Sequence, residues 1–209
     1  AGVVVTSAFA QSGLPKTIKF LSVQDLSGLA GKPGADTRLG MDLAIEEINR
    51  SNLLGGSKIE ISYRDSATNP AQGAALMSAA VGQGNAIVFG SVASGVAIAE
   101  APIAQRGRQP LIFTQAGSKG ILEAGNFIYR ATPLQPDFFH ISVEYLQKIG
   151  IKRLALLTDT NTPTVVEFRT ITKQLAPKLK IEIVADEEIT TSAADISTQI
   201  TKMIAAKPD

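Results

Sequence analysis

AIVFGSVASGVAIAEAPIAQRGRQPLIFT, residues 86–114, reads as a short apolar strand, a turn of small residues, a helix and a second apolar strand. Ala86, Ile87, Val88 and Phe89 form a run too short for a helix, and Gly90 ends it. Gly90 and Gly95 have the glycine spacing of a phosphate-cradling loop, but Val96 and Ala97 stand where its Lys and Ser/Thr belong, so no ammonium or hydroxyl is available for phosphate and magnesium. A strand–helix–strand unit of this length implies a right-handed crossover between parallel strands.

The same alternation continues on both sides. IKFLSVQ (18–24) precedes a helix around Asp36–Asn52, with Met41, Ala44, Ile45 and Ile48 on one face and Glu46, Glu47, Asn49 and Arg50 on the other. KIEISYRD (58–65) alternates as a strand. Asn69, Pro70 and Gln72 then supply an N-cap, a first-turn proline and a capping-box partner for a helix that stops near Gly82. Pro102 makes the third helix start late or kink. After FIYRA (127–131) a second series begins: a helix over Asp137–Ile149, RLALLTD (153–159), a helix over Val165–Leu175, KIEIVAD (180–186) and a helix from about Ala193 to Ala206. The two prolines of RATPLQP (130–136) mark a crossing between the series. The fold class is α/β, with parallel sheets flanked by helices.

Composition narrows the function. With 20 basic against 19 acidic side chains in 209 residues, the net charge of +1 leaves no basic stripe for nucleic acid. The chain has no cysteine, which excludes disulfides, thiolate zinc sites and thiol catalysis. No run approaches the roughly 20 apolar residues of a membrane span. Residues 1–10, AGVVVTSAFA, read as the tail of an export signal, with Ala8, Phe9 and Ala10 as the cleavage pattern before Gln11; an ordinary first strand over Val3–Val5 is the alternative.

In parallel sheets, ligands sit beyond the carboxyl ends of the strands, which here carry hydroxyls, glycines and single carboxylates. Asp25, Asp65 and Asp159 each end a strand. Asn161 stands where a second carboxylate would be needed for magnesium, so these aspartates read as partners of loop amides. Ser94 has Val92 in place of the first glycine of a nucleophile elbow, and the single histidine, His140, falls on a helix surface. No metal site, cofactor site or activated nucleophile emerges. Ser94 at a helix start, and Gly117 with Ser118 after PLIFT, present adjacent helix N-termini that suit a small carboxylate. Simple N-capping by the two serines explains them equally well.

SGLAGKPGADTRLGMDLAIEEIN (27–49), YRDSATNPAQGAALMSAAV (63–81), VFGSVASGVAIAEAPIAQRGRQPLIFTQAGS (88–118) and FIYRATPLQPD (127–137) resemble, in order, the solute-binding proteins of branched-chain amino acid type ABC importers. The resemblance covers Thr17–Asp209. It implies a two-lobed type I periplasmic binding fold: a first lobe over 17–130, an inter-lobe crossing at 131–136, and the first part of a second, truncated lobe over 137–209. It implies a non-enzymatic, periplasmic protein without cofactor that captures a small carboxylate, such as an amino acid or an aromatic or other organic acid, and delivers it to a membrane permease. A ligand-sensing regulator or receptor domain of the same fold is the alternative. By resemblance, Ser94 and the Ser118 amide hold the ligand carboxylate, while the Ala116 carbonyl and Ser118 hydroxyl, with Gly117 between them allowing close approach, take an α-amino group. Gly95 and Thr162 are further candidates for ligand contact. Thr162, Pro163 and Thr164 replace the family's usual aromatic, and Pro33 replaces another. A carboxylate lacking the amino group is therefore an open alternative.

Overall fold

A computed structural model describes residues 13–209; the expected export-signal remnant lies outside them. Five parallel strands form the first sheet in the order β2-β1-β3-β4-β5: β1 Thr17–Gln24, β2 Lys58–Asp65, β3 Ile87–Phe89, β4 Leu111–Phe113 and β5 Ile128–Arg130. β1 pairs with β2 from Thr17↔Lys58 to Gln24↔Asp65 and with β3 from Phe20↔Ile87 to Ser22↔Phe89. The strand order reverses between β1 and β3, which opens a crevice at their carboxyl ends. A second parallel pair, β6 (Arg153–Asp159) and β7 (Glu182–Ile189), belongs to the second lobe.

The helices are α1 (Gly31–Arg50), α2 (Pro70–Ala80), α3 (Ser94–Arg106), α4 (Pro136–Lys148), α5 (Pro163–Leu175) and α6 (Ser197–Ala205). Val23, Val88, Leu111 and Phe113 form the centre of the first core with Met77 of α2 and Ala97, Ala101 and Ala104 of α3. The alanines let α3 lie close on the sheet. Gly73 lets α2 approach it, because a Cβ there would lie 2.4 Å from Val96. A smaller core gathers Val143, Ala176 and Ile181 in the second lobe. No described helix is long and apolar enough to cross a membrane.

Several boundaries depart from the sequence expectation. α1 begins at Gly31, not Asp36: the GKPGA segment is poor in helix formers, but Gly34 packs its bare backbone against the Asp25 carbonyl and Pro33 occupies the first turn, where a missing N–H costs little. α3 runs through Pro102 instead of starting after it. Asn69 Oδ1 accepts the Gln72 amide at 3.0 Å as expected, but the Gln72 side chain donates to the Asp65 carbonyl instead of closing a capping box. β7 begins at Glu182 because a 3₁₀ turn over Ala176–Leu179 ends with Lys180 in the left-handed region.

Candidate functional site

At the β1/β3 crevice the chain fixes residues 91–93 from several sides. Asp25, fully buried, accepts hydrogen bonds from the Ser66 and Ser91 hydroxyls and, at 3.0 Å, from the Ala93 amide. Gln24 accepts the Val92 amide at 3.1 Å, and Glu100, reaching back from α3, accepts the Ser91 amide at 3.1 Å. Burial pushes the Glu100 carboxyl well above the usual carboxylate range; the Ser91 hydrogen bond opposes this, and the charge on Asp25 adds to it. These bonds hold the loop that delivers Ser94 to the start of α3.

Ser94 does not cap that helix. Ala93 is the N-cap residue, and the Ser94 hydroxyl oxygen instead accepts the Gly117 amide at 3.3 Å. An oxygen that accepts this bond still has its own proton to donate. The amides of Ser94 and Gly95 have no acceptor among the described residues. The first turn of α3 therefore presents two N–H groups and one O–H to a single region, at the positive end of the helix dipole.

The facing wall comes from the second lobe. α5 begins at Pro163, two residues before the expected Val165, with Thr162 as its N-cap residue. Thr162 and Thr191 both donate their hydroxyls to Asp159. Hydrogen bonds, first that from Thr191, hold the Asp159 carboxyl below the usual carboxylate range. A Cβ built on Gly95 would lie 3.9 Å from Pro163 Cδ, so the N-termini of α3 and α5 meet across the crevice. Between them lies a cleft of about 710 Å³, the size of a small-ligand site. Leu29, Val92 and Val96 supply apolar wall; Ser94, Gln115, Gln135, Asn161, Thr162 and Thr164 supply polar groups, and no charged side chain among the described residues lines it.

Of the residues singled out in the sequence, Ser94, Gly95 and Thr162 line this cleft. Ala116, Gly117 and Ser118 lie buried directly behind Ser94. The Ser118 hydroxyl, 1% exposed, donates at 2.5 Å to Glu167 of α5, and the Lys119 amide donates to the same carboxylate at 3.2 Å. The helix that joins α3 in facing the cleft is thus α5 of the opposite lobe; only a six-residue 3₁₀ turn follows Ser118, and Glu167 holds its first amide. Sequence reasoning missed Glu167, Gln135 and Thr191. The Thr162–Pro163 pair, an N-cap residue followed by a first-turn proline, was the available signal for the α5 terminus.

Residues 17–209 match the family model described as periplasmic binding protein. The chain belongs to that family. The Leu/Ile/Val-binding protein homolog 7 of Brucella abortus is 33% identical over 133 residues, 63% of this chain and 33% of that protein. The branched-chain amino acid transporter substrate binding protein of Streptococcus pneumoniae, solved in complex with isoleucine, superposes with a TM-score of 0.81 at 28% identity, over 90% of this chain and 54% of that one. A solute binding protein of an ABC transporter from Rhodopseudomonas palustris BisB5, in complex with 3,4-dihydroxy benzoic acid, superposes with a TM-score of 0.83 over 93% of this chain and 53% of that one; at 24% identity this likeness concerns the fold alone. The fold is the two-lobed type I periplasmic binding fold. The chain spans between one third and about half the length of these relatives.

Proposed function

We propose that the chain is the solute-capturing part of an exported, periplasmic binding protein that holds one small carboxylate between its lobes and hands it to the membrane permease of an ABC importer. The observation that carries this reading is the meeting of two helix N-termini, with uncommitted donors on Ser94 and Gly95, across a cleft that no charged side chain among the described residues lines. Such a site stabilises a single negative charge by hydrogen bonds and helix dipoles without a counter-ion.

The same geometry favours an organic acid without an α-amino group. An ammonium needs acceptors, and no carboxylate lines the cleft among the described residues; Asp25 already accepts from Ser66, Ser91 and Ala93, Asp159 from Thr162 and Thr191, and Glu167 from Ser118 and Lys119. The two acceptors expected for an α-amino group, the Ala116 carbonyl and the Ser118 hydroxyl, belong to residues that are only 1% exposed and are not among those lining the cleft. Leu29, 80% exposed at the cleft wall, offers the apolar surface that a ring or branched alkyl group would cover.

Thermal-shift and calorimetric titration of the full chain with benzoate, 4-hydroxybenzoate, isobutyrate, leucine, benzamide and glucose tests both parts. The acids raise the melting temperature by mass action and leucine binds more weakly. Shifts with benzamide or glucose and none with any acid would overturn the carboxylate reading; leucine binding tighter than the acids would overturn the preference against an amino group.

A further inference from the structure

Glu167 stands out as a charged side chain that crosses from one lobe to the other in the described structure. It lies one turn after Pro163 on α5, so the two share the face turned to the first lobe: Pro163 meets Gly95, and Glu167 meets Ser118 and Lys119. The seat it occupies is built like an anion site, with one hydroxyl donor at 2.5 Å and one backbone amide at 3.2 Å. Arg130 donates to the Gly117 carbonyl at 3.1 Å; burial lowers its pKa, and the charges of Asp137 and Glu167 oppose this. Ser94 and Ser118 flank Gly117, and the Gly117 amide is bonded to Ser94, so this seat adjoins the donors of α3.

We propose that Glu167 is a specificity-determining residue: it fills the Ser118–Lys119 seat from the opposite lobe, leaves the α3 N-terminus as the open anion seat, and so restricts the cleft to ligands with one carboxylate. This rests on the carboxylate reading given above. A second carboxylate that reaches past Ser94 toward Gly117, beyond the cleft wall, meets donors that are already taken and a like charge that cannot move away without breaking the lobe contact. Discrimination by an unpaired, desolvated charge is stronger than discrimination by shape alone.

The test compares wild type, Glu167→Ala and Glu167→Gln of the full chain by calorimetry with benzoate and with phthalate, isophthalate and terephthalate, whose second carboxylates sample three directions. Wild type binds each diacid at least about tenfold more weakly than benzoate, a difference of about 1.4 kcal/mol. In Glu167→Ala at least one diacid recovers about tenfold against benzoate, and in Glu167→Gln, which still fills the seat but without charge, the recovery is smaller. Unchanged discrimination in Glu167→Ala overturns the proposal. A second arm needs no cleft ligand: formate at millimolar concentration, against sodium chloride of equal ionic strength, raises the melting temperature of Glu167→Ala more than that of wild type because it enters the vacated seat. Equal formate effects on both proteins overturn the proposal. If wild type takes neither benzoate nor any diacid, the carboxylate reading falls, and the formate comparison alone decides whether the seat exists.

Discussion

Replacing Ser94 with alanine removes one oxygen that does two things. It accepts the Gly117 amide at 3.3 Å inside the first lobe, and its proton is available to a ligand in the cleft. Because Ser94 is not the N-cap residue, loss of a cap contributes nothing; the stability cost comes from leaving the buried Gly117 amide without an acceptor, about 1–3 kcal/mol. The affinity cost is separate. A hydrogen bond to a charged carboxylate contributes about 1.5–3 kcal/mol, which is roughly ten- to a hundredfold in Kd. Ser94→Thr keeps the hydroxyl and is expected to retain most of the affinity. The assay is calorimetric titration of an acid that binds wild type, with denaturant unfolding of the same samples to account for any loss of folded protein. A lowered unfolding midpoint with an unchanged Kd in Ser94→Ala would refute the assignment, since the hydroxyl would then serve only the Gly117 amide.

Two further outcomes follow from the packing behind the site. Gly34→Ala places a Cβ 1.7 Å from the Asp25 carbonyl oxygen, a backbone atom that cannot step aside, whereas a Cβ on Gly40 of the same helix meets nothing within 4 Å. Denaturant melts should show Gly34→Ala losing at least about 1–3 kcal/mol and Gly40→Ala gaining about 0.5–1 kcal/mol; equal effects would show that α1 does not sit on Asp25 as described. Glu100 supplies a pH dependence. Its folded carboxyl, raised chiefly by burial, keeps its proton to higher pH than the unfolded one, so over that window the unfolded state binds fewer protons and stability falls as pH rises. Glu100→Gln keeps an acceptor for the Ser91 amide without the charge, and its stability relative to wild type should improve from pH 4 to pH 8. A difference that stays flat across that range would contradict a buried, proton-holding Glu100.

The alternation of short apolar runs with amphipathic segments was enough to establish parallel α/β architecture, because crossover chirality and strand burial leave few other arrangements for that pattern. The Asn69–Pro70 start of α2 was legible for a local reason: an N-cap oxygen and the amide that donates to it lie three residues apart. The order of motifs from 27 to 137 carried the family, and the helix start at Ser94 carried one half of the site. The rest depended on topology. Nothing local in GKPGA predicts that α1 starts at Gly31; the glycine is helical because the Asp25 backbone lies against it. Ser94 reads as a cap in sequence, and it becomes an acceptor for Gly117 only because β4 lies beside β3 and brings residue 117 to it. Glu167 is the clearest case. Its partner Ser118 is 49 positions away in the other lobe, and a solvated glutamate on a helix looks the same in sequence as one that closes an anion seat. Local hydrogen bonds and periodicity are written in neighbouring residues, whereas the choice of partner for a side chain at a strand end is made by which elements the sheet order and the lobe crossing place side by side.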